Sequence, residues 1–72
     1  MTFPDADFEL FFHAHYDQVV RSLTAMTGDR ELARDSVQDA FVKAATRWRM
    51  VQRLDNPVTW VRRVAINRSR DV

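Results

Sequence analysis

The sequence predicts an all-α fold, a small three-helix bundle. Three segments repeat their apolar residues with the period of an α-helix, and no segment alternates polar and apolar residues long enough for a useful strand. One glycine and two prolines in 72 residues allow only a few long elements. The length fits a single domain, residues 1–72, and eight aromatic residues provide enough apolar surface for a folded core.

The first predicted helix begins near Asp5 or Asp7, since aspartate is a favourable N-cap residue. It ends at Gly28, a residue suited to the left-handed backbone of a helix end, and Asp29 caps the next helix. We therefore expect two antiparallel helices joined by a tight turn. The apolar stripe of the first helix comprises Phe8, Phe11, Phe12, His15, Tyr16, Val19, Leu23 and Met26.

The second predicted helix runs from about Arg30 to about Met50. Its inward residues are Ala33, Val37, Ala40, Phe41, Ala44 and Trp48. Its outward side begins polar and becomes apolar, with the residues Asp35, Gln38, Asp39, Val42, Ala45 and Thr46. A solvated face explains the polar part, but the mixed composition is also typical of a polar-rimmed interface for another helix.

The third predicted helix runs from Pro57 to about Arg70, because Asn56 is a good N-cap and proline fits the first helical position. The residues predicted to face inward are Val58, Trp60, Val61, Val64 and Ala65, and those predicted to face outward are Thr59, Arg62, Arg63, Ile66, Ser69 and Arg70. This outward face is rich in hydrogen-bond donors for phosphates and base edges. Trp60 lies at the border, where an indole can pack in the core or stack on a base.

Charge divides the chain into an acidic and a basic part. Residues 1–46 contain four basic and eight acidic residues, a net charge of −4, whereas residues 47–72 contain seven arginines and two aspartates, a net charge of +5. An all-arginine basic part favours a phosphate-bearing partner, since the guanidinium group matches phosphate geometry. A chance imbalance on a small chain is the alternative.

Several function classes find no support in the sequence. The absence of cysteine excludes disulfides and thiolate metal sites and suits a reducing cytoplasm, and no apolar run is long enough to span a membrane. His13 and His15 lie two residues apart, on different helix faces, so they do not form a zinc pair. We find no phosphate-binding glycine loop or nucleophile motif. We therefore expect neither an enzyme nor a cofactor-binding protein.

Three motifs in order resemble region 2 of bacterial sigma factors, and more narrowly the extracytoplasmic-function (ECF) group of the sigma-70 family. They are "FFHAHYDQVVRSLTAMTGD", "ELARDSVQDAFVKAATRW" and "LDNPVTWVRRVAINRSRD", and the resemblance covers the chain from about Phe8 to Asp71. It implies a domain of transcription initiation that binds RNA polymerase and melts the promoter −10 element.

The resemblance also implies residue roles. A D-x-x-Q-D/E helix of the family docks on the coiled coil of the polymerase β′ subunit, and the matching residues here are Asp35, Gln38 and Asp39, with Val42 extending the strip. A loop and the next helix hold a base flipped out of the non-template −10 strand. The matching DNA-binding residues are Arg53, Leu54, Asp55, Asn56, Trp60, Arg62, Arg63, Ile66, Asn67 and Arg70.

The resemblance also sets expectations about partners and domains. Family members normally carry a second domain, region 4, a helix-turn-helix that reads the −35 element, and this chain ends without one, so we expect an excised domain or the start of a longer protein. Many members are held inactive by a membrane-anchored anti-sigma factor, which makes such a factor a candidate partner. Two alternatives are a protein-interaction bundle that only binds an anti-sigma factor and a nonspecific nucleic-acid binder.

Overall fold

A computed structural model describes residues 5–71 of the chain, and these residues form four helices and no strand. The helices are α1 (Ala6–Thr27), α2 (Arg30–Thr46), the single turn α3 (Trp48–Val51) and α4 (Pro57–Arg70). The all-α prediction is confirmed. The three long helices correspond to the three predicted ones, and α3 is an addition that the sequence did not predict.

The caps of the long helices are the predicted residues. The Asp5 carboxylate accepts hydrogen bonds from the first turn of α1, and the Asp29 carboxylate accepts one from Leu32 N at 3.1 Å. Gly28 has a φ of 72° and its N–H donates to the carbonyl of Thr24 at 2.8 Å. The Asn56 side chain caps α4. These local interactions fix where α1, α2 and α4 begin and where α1 turns back.

The end of α2 differs from the prediction of one helix to about Met50. The helix ends at Thr46, and Arg47 takes φ −117° and ψ 25°, outside helical geometry. One further turn, α3, follows immediately. The break allows both Trp48 and Val51 to be buried, although Val51 was predicted to lie in the connecting segment.

Helix α2 lies at the centre of the fold, because α1 and α4 both pack on it more extensively than they pack on each other. An aromatic cluster joins the first half of α1 to the second half of α2, as expected for antiparallel helices. The buried apolar residues of the core are Phe8, Val19, Leu23, Ala33, Val37, Ala40, Phe41, Ala44, Trp48, Val51, Val61 and Ala65.

Five face assignments were wrong; two of them are Ala45 and Arg62, predicted outward but half-buried. Met26, predicted on the inward stripe, follows the last buried residue of α1 and is 51% exposed. Ser69, predicted outward, is buried because it continues the row of Val61 and Ala65 at a spacing of four residues. Ile66, also predicted outward, is half-buried and packs against the core.

Candidate functional site

The structure brings Asp35, Gln38, Asp39 and Val42 together on one side of α2, and we call these four residues the acidic strip. Asp35, Gln38 and Val42 are exposed and Asp39 is half-buried. The four residues line a shallow concavity of about 360 Å³, and its fifth lining residue is Arg68 of α4. The arrangement can accept a helix that carries basic and apolar side chains. The role of the four residues remains a prediction.

Two basic side chains contact the carboxylate of Asp39. Lys43 Nζ lies 3.5 Å from Asp39 Oδ2, one helical turn along α2. Arg68 Nε lies 3.6 Å from the same oxygen and reaches it from α4. All three side chains are about half exposed to solvent, so each ion pair is weak and screened by salt. The two nearby cations nevertheless offset part of the negative charge of Asp39.

The second predicted site consists of the loop of residues 52–56 and the exposed side of α4. The loop begins with two turn-forming backbone hydrogen bonds, from Arg53 N to the Met50 carbonyl and from Leu54 N to the Val51 carbonyl, each 3.1 Å long. Leu54 remains 37% exposed, so its apolar side chain is accessible to a ligand. Asn56 ends the loop, and its side-chain oxygen accepts a hydrogen bond from Thr59 N at 3.2 Å.

Four of the predicted DNA-binding residues meet in one concavity, which we call the loop concavity. Its volume is about 300 Å³, and its lining residues are Leu54, Asn56, Thr59, Trp60 and Arg63. It combines an apolar side chain, an aromatic ring, an amide and a guanidinium group. Such a set can hold a planar base by stacking and hydrogen bonds while the cation faces a phosphate.

Trp60 also borders a second concavity. We call it the arginine concavity; its volume is about 260 Å³ and its lining residues are Lys43, Arg47, Trp60, Val64, Asn67, Arg68 and Asp71. Only Trp60 and Asn67 of this set were predicted. The indole of Trp60 is half-buried and packs against the core, so both sequence-based interpretations of this ring remain compatible with its position.

The other predicted DNA-binding residues line neither concavity. Arg53, Asp55 and Arg70 are exposed. Arg62 is half-buried, and its Nε is buried without a hydrogen-bond partner in the described part of the chain. Ser69, once counted among the donors of this face, directs its hydroxyl to the Ile66 carbonyl at 2.7 Å. The face of α4 that offers hydrogen-bond donors to a ligand is therefore narrower than the sequence predicted.

Sequence reasoning missed Lys43, Arg47 and Arg68 as members of these surfaces. Their charge was visible, but their positions depend on how α4 packs across α2, which no local spacing reveals. A partial signal was the run of arginines after residue 46. The structure thus adds three cations at the junction between the two predicted sites.

No metal site is apparent in residues 5–71, where no three histidine or acidic side chains come together. His13 Nε2 lies 3.8 Å from Glu9 Oε1 on the exposed side of α1, and these two side chains have no third histidine or acidic residue beside them that would complete a metal site.

None of the helices in this part of the chain is both long and apolar enough to cross a bilayer. A further concavity, about 670 Å³, is formed by α1 and the start of α2, and none of its lining residues is a predicted site residue.

Comparison with known protein families identifies a match. Residues 11–72 match the family model described as sigma-70 region 2, which covers both the acidic strip and the loop concavity. Comparison with curated proteins and with solved structures gives no match.

Proposed function

The chain belongs to the sigma-70 region 2 family, and on that basis we propose that it binds the β′ coiled coil of RNA polymerase and recognises and melts the promoter −10 element. Family membership implies a sigma-factor role in transcription initiation, with RNA polymerase and promoter DNA as partners. The proposal assigns each partner to one of the two surfaces described above.

The acidic strip is the proposed polymerase-binding surface. Its two carboxylates and one amide present acceptors beside the exposed Val42, and α2 holds them on one side of the domain. Complementary charge steers a basic helical partner, and the apolar contact supplies burial at the centre of the interface. The D-x-x-Q-D pattern of these residues resembles the polymerase-docking motif of the ECF group, and we include membership of that group in the proposal.

The loop concavity is the proposed site for a base of the non-template strand, and it is the observation that carries the proposal. Its lining includes four residues to which the family resemblance gives a DNA-binding role, two in the loop and two in α4: Leu54, Asn56, Trp60 and Arg63. Extruding a base from duplex DNA costs a few kcal/mol, and stacking on an aromatic side chain returns about 1–3 kcal/mol per base. A pocket beside an indole can therefore hold a promoter strand open.

The proposal also covers location and regulation. The cytoplasm, where bacterial transcription takes place, is the proposed compartment. An anti-sigma factor is the proposed regulatory partner, since a protein that covers the acidic strip would block polymerase. No catalytic residue and no cofactor enter the proposal.

Charge reversal tests the polymerase surface. Asp39→Lys should abolish binding to a peptide spanning the β′ coiled coil, because the strip then repels a basic partner. Asp17→Lys makes the same charge change on the exposed side of α1 and is the control. Far-UV circular dichroism verifies that both variants remain helical. Binding of Asp39→Lys at the affinity of the control would contradict the docking assignment.

Selection from a pool of random single-stranded oligonucleotides tests the DNA surface. The proposal expects a consensus of unpaired bases, whose binding quenches Trp60 fluorescence and is lost in Trp60→Ala. Trp48→Phe removes the other, buried indole and serves as the control. Retention of DNA without a consensus, with a steep salt dependence, would favour the nonspecific binder instead. If the protein binds no oligonucleotide from the pool, the result would favour the protein-interaction bundle.

A further inference from the structure

We propose that Arg68 couples the two surfaces: a basic partner on the acidic strip displaces it from Asp39 and makes it available to a phosphate in the arginine concavity. The inference rests on the proposed function for the identity of the two partners. Its structural basis is that Arg68 lines both concavities, the one along the acidic strip and the one beside Trp60.

The contact between Arg68 and Asp39 is suited to exchange. The separation of 3.6 Å between Nε and Oδ2 is an ion pair without a short hydrogen bond, and both side chains are 40% exposed. Lys43 shares the same carboxylate oxygen at 3.5 Å. A partially solvated pair of this kind contributes little to stability, so an incoming cation can replace Arg68 without disturbing the core.

The arginine concavity gives the displaced side chain a second environment. Lys43 and Arg47 lie there beside Trp60 and Asn67, and Asp71 is the single acidic residue among the lining residues. This set of cations and donors is appropriate for a backbone phosphate next to a stacked base. Arg68 therefore has a carboxylate on one side and a phosphate site on the other.

The coupling has a defined direction. Before docking, Arg68 partly neutralises Asp39 and repels a basic partner, which lowers affinity for that partner. After docking, the concavity gains an unpaired cation, which raises affinity for nucleic acid. Because coupling between two binding sites is reciprocal, DNA that binds Arg68 also raises affinity for the partner of the strip.

A double-mutant cycle tests the first half of the inference, with the β′ coiled-coil peptide as probe. Arg68→Gln should tighten binding about twofold to fivefold, the range expected for losing one exposed ion pair. In the Asp39→Asn background the same substitution should have no more effect than Arg49→Gln. That control removes one exposed cation that lines neither concavity. Thermal unfolding and circular dichroism verify that each variant folds.

Salt titration tests the second half. With saturating coiled-coil peptide, the slope of log K against log salt for single-stranded DNA should steepen by about 0.7, the value for one additional phosphate contact. Arg68→Gln should lose this increment, whereas Arg49→Gln should retain it. A slope that does not change when the peptide is added would overturn the coupling.

The two levels of failure can be separated. If Asp39→Asn weakens peptide binding but Arg68→Gln leaves it unchanged or weakens it, the docking surface stands and the coupling is wrong. If the unmodified chain does not bind the peptide at all, the docking assignment fails and the coupling fails with it.

Discussion

Phe41 is the residue of α2 whose removal should damage the domain most. Its side chain is 1% exposed, and four described rings of α1 surround it. The ring centroids lie 5.2 Å away for Phe12, 5.7 Å for Phe11, 5.9 Å for Tyr16 and 6.5 Å for Phe8. Packing around this ring therefore holds α1 against α2, the helix that carries the acidic strip.

The expected cost of Phe41→Ala follows from that environment. Truncating a buried phenylalanine to alanine costs about 3–5 kcal/mol, since the lost contacts leave a cavity that neighbouring rings fill only in part. A domain of this length has a total stability of roughly 4–11 kcal/mol. Phe41→Ala should therefore remove between about a quarter and the whole of that stability. Phe41→Leu keeps most of the volume, loses the ring contacts and should cost about 1–2 kcal/mol.

Urea unfolding followed by far-UV circular dichroism measures these differences. The matched control is Val42→Ala, the adjacent residue of α2, which is 43% exposed and should change stability by less than about 0.5 kcal/mol. A cost of less than about 1.5 kcal/mol for Phe41→Ala, or a cost for Val42→Ala equal to that of Phe41→Ala, would contradict this role of Phe41 in the core.

Three further substitutions test other parts of the fold. Ser36→Ala should stabilise the domain by about 0.5–1 kcal/mol in urea unfolding, because the buried Ser36 hydroxyl has no hydrogen-bond partner; Ser69→Ala, which removes a bonded hydroxyl, should not stabilise it. Asn56→Ala should cost about 1 kcal/mol by loss of the α4 cap. Asn56→Asp should keep that stability but weaken single-stranded DNA binding through its added negative charge. Gly28→Ala should cost about 1 kcal/mol, because its φ of 72° strains any side chain although no atom lies near the added methyl group.

The helix ends were predictable because each depends on a few neighbouring residues. Asp5, Gly28, Asp29 and Asn56 act through side chains or backbone angles within four positions of the chain. The break at Arg47 had no such signal, since neither glycine nor proline marks it. The break accompanies the burial of Trp48 and Val51, which depends on tertiary packing.

The face assignments of α4 show where periodicity stops being informative. The helical repeat fixes the angular positions of Ser69 and Ile66 around the axis of α4. Their burial also depends on how far α2 extends beside that end of α4. Ser69 is buried and Ile66 is half-buried, although both were predicted to face solvent. The contact of Arg68 with Asp39 was equally unpredictable from the sequence, because it joins residues 29 positions apart on two helices.

The central position of α2 has a consequence for the strength of the docking proposed for the acidic strip. Because α1 and α4 fix this helix from two sides, the backbone beneath the acidic strip is already ordered before any partner arrives. Asp35, Asp39 and Val42 are also short side chains that lose few rotamers on contact. Binding at the strip therefore carries a small entropic penalty, so even an interface of modest area can be specific and readily reversible.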